Sequence, residues 1–300
     1  MTSSPINSSL TNSTRDVCAV VVTFNPGERL LGNITALRPQ VQEVVVVDNG
    51  SANLGPIQRL EQCGTKVFYN EENLGIAAAL NIGMKYALKK GYTWIATFDQ
   101  DSQPPLGFVK RLLEAYDAYP GRDRIAILSP VYRDEATGTV FQHGGQSSAP
   151  FQEIVSTMTS GNLVKADTLT KTGLFEEDLF IDYVDHEFCL RARKSGFGVL
   201  ESRTAILGHN LGETEKYTKF GLTFHATNHS PLRRYYNARN RLVVYRRYLT
   251  TEPRWILKDI FGFLKEVGKI ILVEENKREK LSAVGEGLWH GVTGKMGQRA

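Results

Sequence analysis

Continuous apolar runs rich in β-branched residues alternate with helical patterns through the first part of the chain. The runs lie at 17–24, 43–48, 66–69, 93–98 and 125–131. A strand that is apolar on both faces is typical of a parallel sheet covered by helices, whereas a half-solvated antiparallel sheet shows alternation. The pattern therefore predicts an α/β fold built on a parallel sheet with helices on both faces.

The periodicity divides the chain into successive parts. Residues 1–16 are rich in Ser, Thr and Asn and lack the apolar core and early positive charge of a secretory signal, so we expect a disordered segment. Residues 17–245 carry the strand and helix patterns, which weaken through a Gly-, Ser- and Gln-rich stretch at 137–152. Residues 246–300 are predicted to form a C-terminal helical extension.

The composition excludes several classes of protein. The 36 basic and 32 acidic residues give a net charge of +4, too weak to indicate nucleic-acid binding but compatible with an anionic substrate or membrane surface. The three cysteines are odd in number and lack Cys-x-x-Cys spacing, so we expect neither a disulfide framework nor a zinc site, and a reducing, cytoplasmic setting fits best. No apolar run reaches the length of about 18 residues that a membrane span needs.

Polar residues collect where three of the apolar runs end. They are Thr23 and Asn25, Asp48 and Asn49, and Asp99 and Asp101. In an open α/β sheet, ligands bind outside the carboxyl ends of the strands. Because the same chemistry recurs at successive strand ends, the sequence predicts a ligand site at this edge of the sheet.

Asp99 and Asp101 are separated by one residue directly after a buried run. Two such carboxylates can hold a hard divalent cation whose coordination shell is completed by phosphate oxygens. A lone pair of this kind is more often a solvated turn, but its alignment with Asp48 favours metal binding. Asp48 can accept a hydrogen bond from a nucleotide, or it can belong to a simple helix cap, for which Ser51 is also suited.

The stretch from Gly75 to Gly83 places small residues along one helix. Small residues allow a backbone or a ligand to approach closely. The spacing is not the G-x-G-x-x-G of a dinucleotide site, so that interpretation has little support. On its own, this helix predicts tight packing.

The segment 180–191 is dense in titratable residues. On a helix that starts near Tyr183, Asp185 lies in the first turn, where the helix N-terminus favours an ionised carboxylate that can act as a general base. Glu187 and Arg191 have the spacing of an i,i+4 ion pair, which fits a structural role as well as a functional one.

Two later features carry less specific signals. His209 ends a strand pattern. A lone histidine at such a place is usually a polar residue that is hydrogen-bonded within the protein. Residues 228–241 contain four arginines and two tyrosines, Arg239 among them. Such a cluster suits a diphosphate or lipid phosphate, and a solvated basic helix explains it equally well.

Taken together, these motifs resemble the inverting family 2 glycosyltransferases with a GT-A fold. The resemblance rests on TFN after the first strand, VVVVDNGS, the GIAAALNIG helix, DQD after the fourth strand, and FIDYVDHEFCLRARKSG, which occur in family order over residues 17–245. The variants TFNPG, FDQDS, LFIDYVDHE, NHSPLRRYYNARN and GLWHGVTGKMG are similar to those of bacterial rhamnosyltransferases. A GT-A fold with a C-terminal helical extension is therefore expected.

The resemblance also implies roles for individual residues. Asp185 would be the general base, although Val184 stands where many relatives carry a Glu. Asp99 and Asp101 would bind Mg²⁺ or Mn²⁺, with Asp101 as the direct ligand, and His209 would contact the metal or the diphosphate. Residues expected to bind the donor are Thr23, Asn25, Asp48 at the pyrimidine ring, Asn49, Asn73, Gly75, Asn81, Asp99, Gln100 and Arg239.

The implied reaction is transfer of L-rhamnose from dTDP-L-rhamnose to a hydroxyl of a glycan or lipid-linked acceptor. Inverting transfer needs a base at the acceptor and a cation at the leaving diphosphate, and no covalent nucleophile. Asp185 and the Asp99–Asp101 pair meet these needs. The alternatives are a family member with another nucleotide sugar, a metal-dependent phosphohydrolase or nucleotidyltransferase, and a non-enzymatic nucleotide-sugar-binding regulator.

The tail contains an amphipathic helix that the catalytic motifs do not explain. Its apolar face comprises Ile256, Leu257, Ile260, Phe261, Leu264, Val267 and Ile271. Lysines flank this face, but Asp259 and Glu266 keep the helix from being strongly cationic. We therefore expect it to pack on the catalytic domain or in a homo-oligomer, with contact to the inner face of the cell membrane as a secondary role shared with the arginines at 233–241.

Overall fold

The computed structural model describes residues 16–134, 138–143, 149–209, 215–219, 222–226 and 228–299. The segment 1–15, which belongs to the predicted disordered lead-in, lies outside the described residues.

The first half of the chain alternates strands and helices, as the sequence predicts. The elements are β1 (Val17–Thr23), α1 (Arg29–Leu37), β2 (Glu43–Asp48), α2 (Gly55–Gln62), β3 (Lys66–Tyr69), α3 (Ile76–Lys90), β4 (Trp94–Asp99) and α4 (Phe108–Ala118). Strand β1 pairs in parallel with both β2 and β4, so Thr23 lies opposite Asp48, and Val22 lies opposite Asp99. This register brings the three polar strand ends to one edge of the sheet.

The second half is less regular. Its elements are β5 (Ile125–Asp134), β6 (Val140–Phe141), β7 (Phe151–Ile154), β8 (Asn162–Lys165), α5 (Leu169–Thr172), α6 (Val184–Lys194), β9 (Gly198–His209), β10 (Glu215–Lys219), β11 (Leu222–Ala226), α7 (Pro231–Tyr248), α8 (Pro253–Leu272) and α9 (Lys277–Thr293). Strands β10 and β11 form a separate antiparallel hairpin.

Among the described residues, nine strands form one sheet in the order β3-β2-β1-β4-β8-β5-β9-β7, with β6 beside β5. The predicted parallel pairing is correct for β3, β2, β1 and β4, and β5 pairs in parallel with β9, but the sheet is not parallel throughout. Strand β8 is antiparallel to both β4 and β5, and β7 is antiparallel to β9. These returning strands are only four residues long and follow irregular segments, so they lack the long apolar runs that identify the parallel strands.

The sheet is buried on both faces. The odd-numbered side chains of β1 pack on one face of the sheet with α1, α2 and α4. The even-numbered side chains pack on the other face with α3 and α6. The small residues of α3 serve tight packing, as predicted, because a Cβ added at Gly83 would lie 2.3 Å from Cγ1 of Val20 on β1. The predicted doubly covered α/β sheet is therefore confirmed, in mixed rather than parallel form.

Helix α8 packs against α6 and α7. Ile256 of α8 is buried in a cluster with Tyr183, Leu190, Val244 and Tyr248. The domain boundary predicted at residue 245 falls inside α7, whose last turn contributes to that cluster. No helix in the described part of the chain combines the length and the apolar character that crossing a bilayer requires.

Candidate active site

Asp48 is buried at the end of β2 and is held by its neighbours. Oδ1 accepts a hydrogen bond from Thr23 Oγ1 at 3.1 Å, and Oδ2 accepts one from the backbone N–H of Ser51 at 3.0 Å. The Ser51 hydroxyl also donates to Oδ1. Helix α2 begins at Gly55 after an N-terminal cap at Leu54, so Asp48 and Ser51 do not cap it.

Asn25 joins the β1 loop to the β2 loop. Its backbone φ is +47°, a left-handed conformation that asparagine tolerates better than most residues. Its N–H donates to Ser51 Oγ at 2.7 Å, and its Oδ1 accepts from the N–H of Ala52 at 2.9 Å. The structure thus brings Thr23, Asn25 and Asp48 together, as the sequence predicts.

Asn49, Asn73 and Gly75 form a second linked group at this edge. Asn49 Nδ2 donates to Asn73 Oδ1 at 2.9 Å and to the Gly75 carbonyl at 3.2 Å, while its Oδ1 accepts from the N–H of Leu74 at 3.0 Å. Because the hydrogen bonds of the Asn49 side-chain amide go to Asn73, Leu74 and Gly75, this side chain positions the loop before α3. Gly75 has a φ of +85°, and a Cβ there would lie 2.6 Å from the carbonyl oxygen of Phe180.

The third strand end carries Asp99, Gln100 and Asp101. The Asp99 N–H donates to Ser160 Oγ at 3.1 Å, and Gln100 Oε1 accepts from the N–H of Phe24 at 2.8 Å. Asp99 is half-buried and Asp101 is exposed. The backbone of Asp99 is therefore anchored at the end of β4, and Asp101 is open to solvent.

A divalent cation fits this pair by the chemistry of its donors. Two carboxylate groups leave room for phosphate oxygens and water, which is how Mg²⁺ is usually held. No group of three or more His, Cys, Asp or Glu side chains suited to a metal occurs among the described residues. The backbone of His209 ends β9 opposite Asp134, but its side chain lies outside the described part of the chain.

Three non-glycine residues before α6 have left-handed backbones. The φ angles are +65° for Phe180, +61° for Asp182 and +63° for Tyr183. Each such residue costs about 1–3 kcal/mol and persists only where the surroundings impose it, commonly at functional sites. Asp185 follows directly in the first turn of α6, as predicted. Sequence periodicity gives no signal for this strained segment (residues 178–183), which we call the base loop after the predicted base, Asp185, that follows it.

Helix α7 holds the base loop through a buried amide. Asn240 Nδ2 lies 2.8 Å from the carbonyl oxygens of Leu179 and Ile181 and 2.9 Å from that of Asp182. Asn240 was not among the predicted site residues, although it lies within the motif NHSPLRRYYNARN. A side-chain donor this deeply buried needs partners, and here they are the carbonyls of the strained segment.

Arg239 was predicted to bind the donor, and the structure gives it another role. Its side chain is 1% exposed, and Nη2 donates to the carbonyls of Asp178 and Leu179 at 3.1 Å. The guanidinium carbon also lies 4.9 Å from the ring centroid of Tyr236. Arg239 therefore supports the base loop from inside the protein.

The rest of the arginine cluster is largely buried as well. Arg234 pairs with Glu274 at 2.6 Å, and Arg241 pairs with Asp259 of α8 at 2.9 Å. Both predicted roles, a phosphate site and a solvated basic helix, are wrong for these residues because their charges are neutralised internally. Sequence alone could not show this, since the partner acids are distant in the chain, with Asp259 on α8 and Glu274 in the segment after it.

Asn81 is also turned away from the strand-end edge. Its Nδ2 donates to the Phe175 carbonyl at 2.9 Å, and its Oδ1 accepts from the N–H of Phe175 at 2.9 Å. The side chain thus links α3 to the segment before the base loop. The predicted pair of Glu187 and Arg191 is present at 2.8 Å.

The buried phenol of Tyr132 is affected by the charges of two site carboxylates. Burial raises the pKa of Tyr132, and the negative charges of Asp99 and Asp185 raise it further. The Asp185 Oδ1 accepts the backbone N–H of His186 at 2.8 Å, which fixes the orientation of the carboxylate. Val184 is buried in the core, so the chain has no paired acid at that position.

Comparison with known proteins identifies the family. The family model described as glycosyl transferase family 2 matches residues 18–170. The chain is a member of this family. A dTDP-rhamnosyl transferase of Shigella flexneri, RfbF, is 31% identical over 93% of this chain and 97% of its own length. The galactofuranosyltransferase GlfT1 of Mycobacterium tuberculosis is 26% identical over 76% of this chain and 81% of its own.

Solved structures show the same GT-A fold. Residues 1–349 of TarS from Staphylococcus aureus superpose with a TM-score of 0.59 at 18% identity, covering 92% of this chain and 80% of that one. GalNAc-T7, crystallised with UDP, GalNAc and Mn²⁺, gives a TM-score of 0.61 at 14% identity, covering 94% of this chain and 57% of that one. In this family 2 glycosyltransferase, Asp99 and Asp101 fall inside the matched segment, and Asp185 lies beyond it.

Proposed function

We propose that this family 2 member is an inverting rhamnosyltransferase, which moves L-rhamnose from dTDP-L-rhamnose to a hydroxyl of a glycan or lipid-linked acceptor in bacterial cell-surface polysaccharide (O-antigen-type) or glycolipid synthesis. The 31% identity to the Shigella dTDP-rhamnosyl transferase supports the donor sugar. The observation that carries the chemistry is the placement of Asp99 at the end of β4 and of Asp185 in the first turn of α6, with both charges raising the pKa of Tyr132.

Asp48 is suited to recognise the pyrimidine ring. A carboxylate offers about four acceptor positions, and hydrogen bonds from Thr23 and Ser51 use three of them. The remaining position on Oδ2 can accept the ring N–H of thymine. Asn25, Asn49, Asn73 and Gly75 shape the surrounding loops, and Gln100 fixes the β4 end against the β1 loop.

Asp99 and Asp101 are proposed to hold Mg²⁺ or Mn²⁺ together with the donor diphosphate. Bound there, the cation would neutralise charge on the leaving dTDP. Asp99 is anchored by Ser160, while the exposed Asp101 is free to meet the cation from solvent, which supports Asp101 as the direct ligand. His209 stays a candidate for contact with the metal or diphosphate.

Asp185 is proposed to remove the proton from the acceptor hydroxyl as it attacks the anomeric carbon. Its carboxylate is oriented by the His186 N–H, and its helix begins at the clamped base loop. A fixed base within reach of the reacting hydroxyl is the main requirement of general-base catalysis.

A donor screen tests the proposal. Purified protein would be incubated with Mg²⁺ and a panel of nucleotide sugars, and nucleoside diphosphate release would be measured with and without glycan acceptors. We expect turnover of dTDP-L-rhamnose and stronger competition by dTDP than by GDP. Preference for a galactofuranosyl donor, which the similarity to GlfT1 makes the second candidate, would replace the sugar but keep the reaction class. Release of inorganic phosphate without sugar transfer would contradict the proposed glycosyltransferase activity.

The enzyme is further proposed to work in the cytoplasm, on the inner face of the cell membrane. Leu257, Phe261, Leu264 and Ile271 on α8 are each more than half exposed and lie on one helical face. We call this face the α8 stripe (Leu257, Phe261, Leu264 and Ile271). It was expected to pack on the catalytic domain or in a homo-oligomer, but within the described chain the neighbouring face, with Ile256 and Ile270, is the one that is buried.

The charges of α8 favour a membrane over a second copy. Asp259 and Glu266 were expected to weaken the cationic character of the helix, but they face inward, where they pair with Arg241. The lysines at 258, 265 and 269 remain along one side of the α8 stripe. An apolar stripe edged by lysines complements anionic lipid. A homo-oligomer through the same face is the alternative outcome of the test.

A further inference from the structure

Two adjoining cavities lie beside β6 and β7, and the first turns of α8 border the larger one. The larger is about 750 Å³ and is lined by residues of β7 and the first turns of α8. The smaller is about 400 Å³ and reaches Tyr132. His143, Ser156 and His186 line both, so the two form one groove. The groove therefore ends at Tyr132, whose pKa is raised by the charges of Asp99 and Asp185.

Trp255 provides a fixed aromatic surface in this groove. Its Nε1 donates to Ser156 Oγ at 3.1 Å, and its ring centroid lies 5.2 Å from that of His186 and 6.5 Å from that of Tyr183. The indole N–H thus has a hydrogen-bond acceptor, and Trp255 as a whole is half-buried. A rigid tryptophan face offers a large contact area to the apolar face of a sugar ring at a small cost in conformational entropy.

His186 follows the base directly and has an unused polar atom. Its Nδ1 is buried and has no hydrogen-bond partner among the described residues. An unpaired buried nitrogen is costly, so a turn of the ring that brings Nδ1 to a ligand hydroxyl is favoured when the groove is occupied. Because Asp185 and His186 are adjacent, a saccharide bonded here places neighbouring hydroxyls near the base.

The far end of the groove carries uncompensated positive charge. Its acids are paired: Glu252 with Arg193, Glu153 with Arg124, and Asp259 with Arg241. Two cations, Arg254 and Lys258, line the same cavity, and neither has an ion-pair partner in the described part of the chain. This end therefore suits an anion, and Lys258 also borders the α8 stripe.

We infer that this groove binds the acceptor, and that the acceptor is a glycan with a phosphate at its reducing end, as in a lipid phosphate or diphosphate. Trp255 stacks on a sugar ring, His186 bonds a hydroxyl, and Arg254 with Lys258 contacts the phosphate. The inference deepens the proposed glycosyl transfer, on which it rests, but it does not depend on which donor sugar is used.

Equilibrium binding without donor tests the inference. The probes are a panel of hexopyranosides, each prepared both as an alkyl diphosphate and as an alkyl glycoside, and titrated by calorimetry. We expect the diphosphate form of at least one to bind about tenfold tighter than its glycoside, and the Arg254→Ala/Lys258→Ala variant to lose that difference. Failure of every probe to bind, or an unchanged preference in the variant, would overturn the inference.

A second variant addresses the aromatic surface. Trp255→Ala should weaken binding of the same probe about tenfold or more, Trp255→Phe should retain most of it, and dTDP affinity should be unchanged in both. Trp289→Ala is the matched control, because Trp289 is 65% exposed on α9 and does not line the groove. Equal binding by the Trp255→Ala and Trp289→Ala variants would contradict the assignment. A failed donor screen with intact probe binding would reject only the proposed donor.

Discussion

The side-chain amide of Asn240 lies 2.9 Å from the carbonyl oxygen of Asp182, whose backbone is left-handed. Through this contact, and through those to Leu179 and Ile181, helix α7 holds the base loop in a conformation that its sequence disfavours. The position of Asp185 therefore depends on a helix from outside the family-matched segment, which ends at residue 170.

Replacing Asn240 by Ala should lower kcat more than it changes the Kd for dTDP. The carbonyls lose their donor, and the base loop relaxes away from the geometry that aims Asp185. Asn81→Ala is the control, since it also removes a buried amide between a helix and a backbone segment, away from the strand-end edge. We expect both variants to be less stable and only Asn240→Ala to lose kcat at a temperature where both are folded. Parallel losses of stability and kcat in the two would indicate a purely structural role.

Asp185→Asn should abolish transfer while leaving dTDP affinity nearly unchanged. Removal of a general base costs about 10²–10⁴-fold in rate, and the isosteric amide preserves the fold. The measurements are kcat and a calorimetric Kd, with Asp117→Asn on the exposed surface of α4 as the control. Retention of more than about a third of the wild-type kcat would rule out Asp185 as the base.

Asp101→Ala should weaken dTDP binding in Mg²⁺ or Mn²⁺ and have little effect in EDTA. The reason is that a carboxylate reaches the diphosphate only through a shared cation. Calorimetry with and without metal measures the difference, and Asp117→Ala should show none. If the loss were the same in EDTA, Asp101 would contact the nucleotide without a metal.

The α8 stripe should bind anionic vesicles at low salt and release them at high salt, because attraction by lysine is screened by ions. Phe261→Ser combined with Leu264→Ser should reduce flotation, whereas Leu106→Ser, 78% exposed in the loop before α4, should not. Absence of wild-type flotation, together with a dimer in light scattering that the double variant loses, would assign the face to a second copy.

Stability should decrease as the pH falls from about 6.5 towards 4, in part through His229. Burial and the nearby Arg233, Arg234 and Lys280 lower the pKa of His229 from 6.5 to about 4. The unfolded chain therefore binds a proton in this window that the folded protein does not, so unfolding is favoured as the pH falls. Urea midpoints at pH 7.5 and 5 should differ less for His229→Gln than for the wild type. An equal change in both would exclude this contribution.

The strand-end part of the site could be predicted because it follows from local pattern. The apolar runs that identify β1, β2 and β4 also fix where each strand ends, and parallel pairing then brings Thr23, Asp48 and Asp99 to one edge. Asp185 was predicted from its place in a helix first turn and from the family motif. Neither argument needs knowledge of distant contacts.

The roles of the C-terminal residues could not be predicted in this way. Arg239, Arg241 and Asn240 look like surface residues in the sequence, since long charged side chains are seldom fully buried unless paired. Their partners are backbone carbonyls of the base loop and Asp259 on α8, which no local pattern reveals. For the same reason, Asp259 and Glu266 were counted among the charges of an exposed face.

One backbone contact couples the two halves of the site. The N–H of Ile76, at the start of α3, donates to the Phe180 carbonyl at 2.8 Å. Phe180 lies so close to Gly75 that there is no room for a side chain at that position. The spacing between the strand-end edge and the segment before Asp185 is thus set by main-chain atoms, which substitution of other side chains cannot adjust. A change in the proposed sugar or acceptor would therefore come from residues of the cavity walls, while this spacing stays constant.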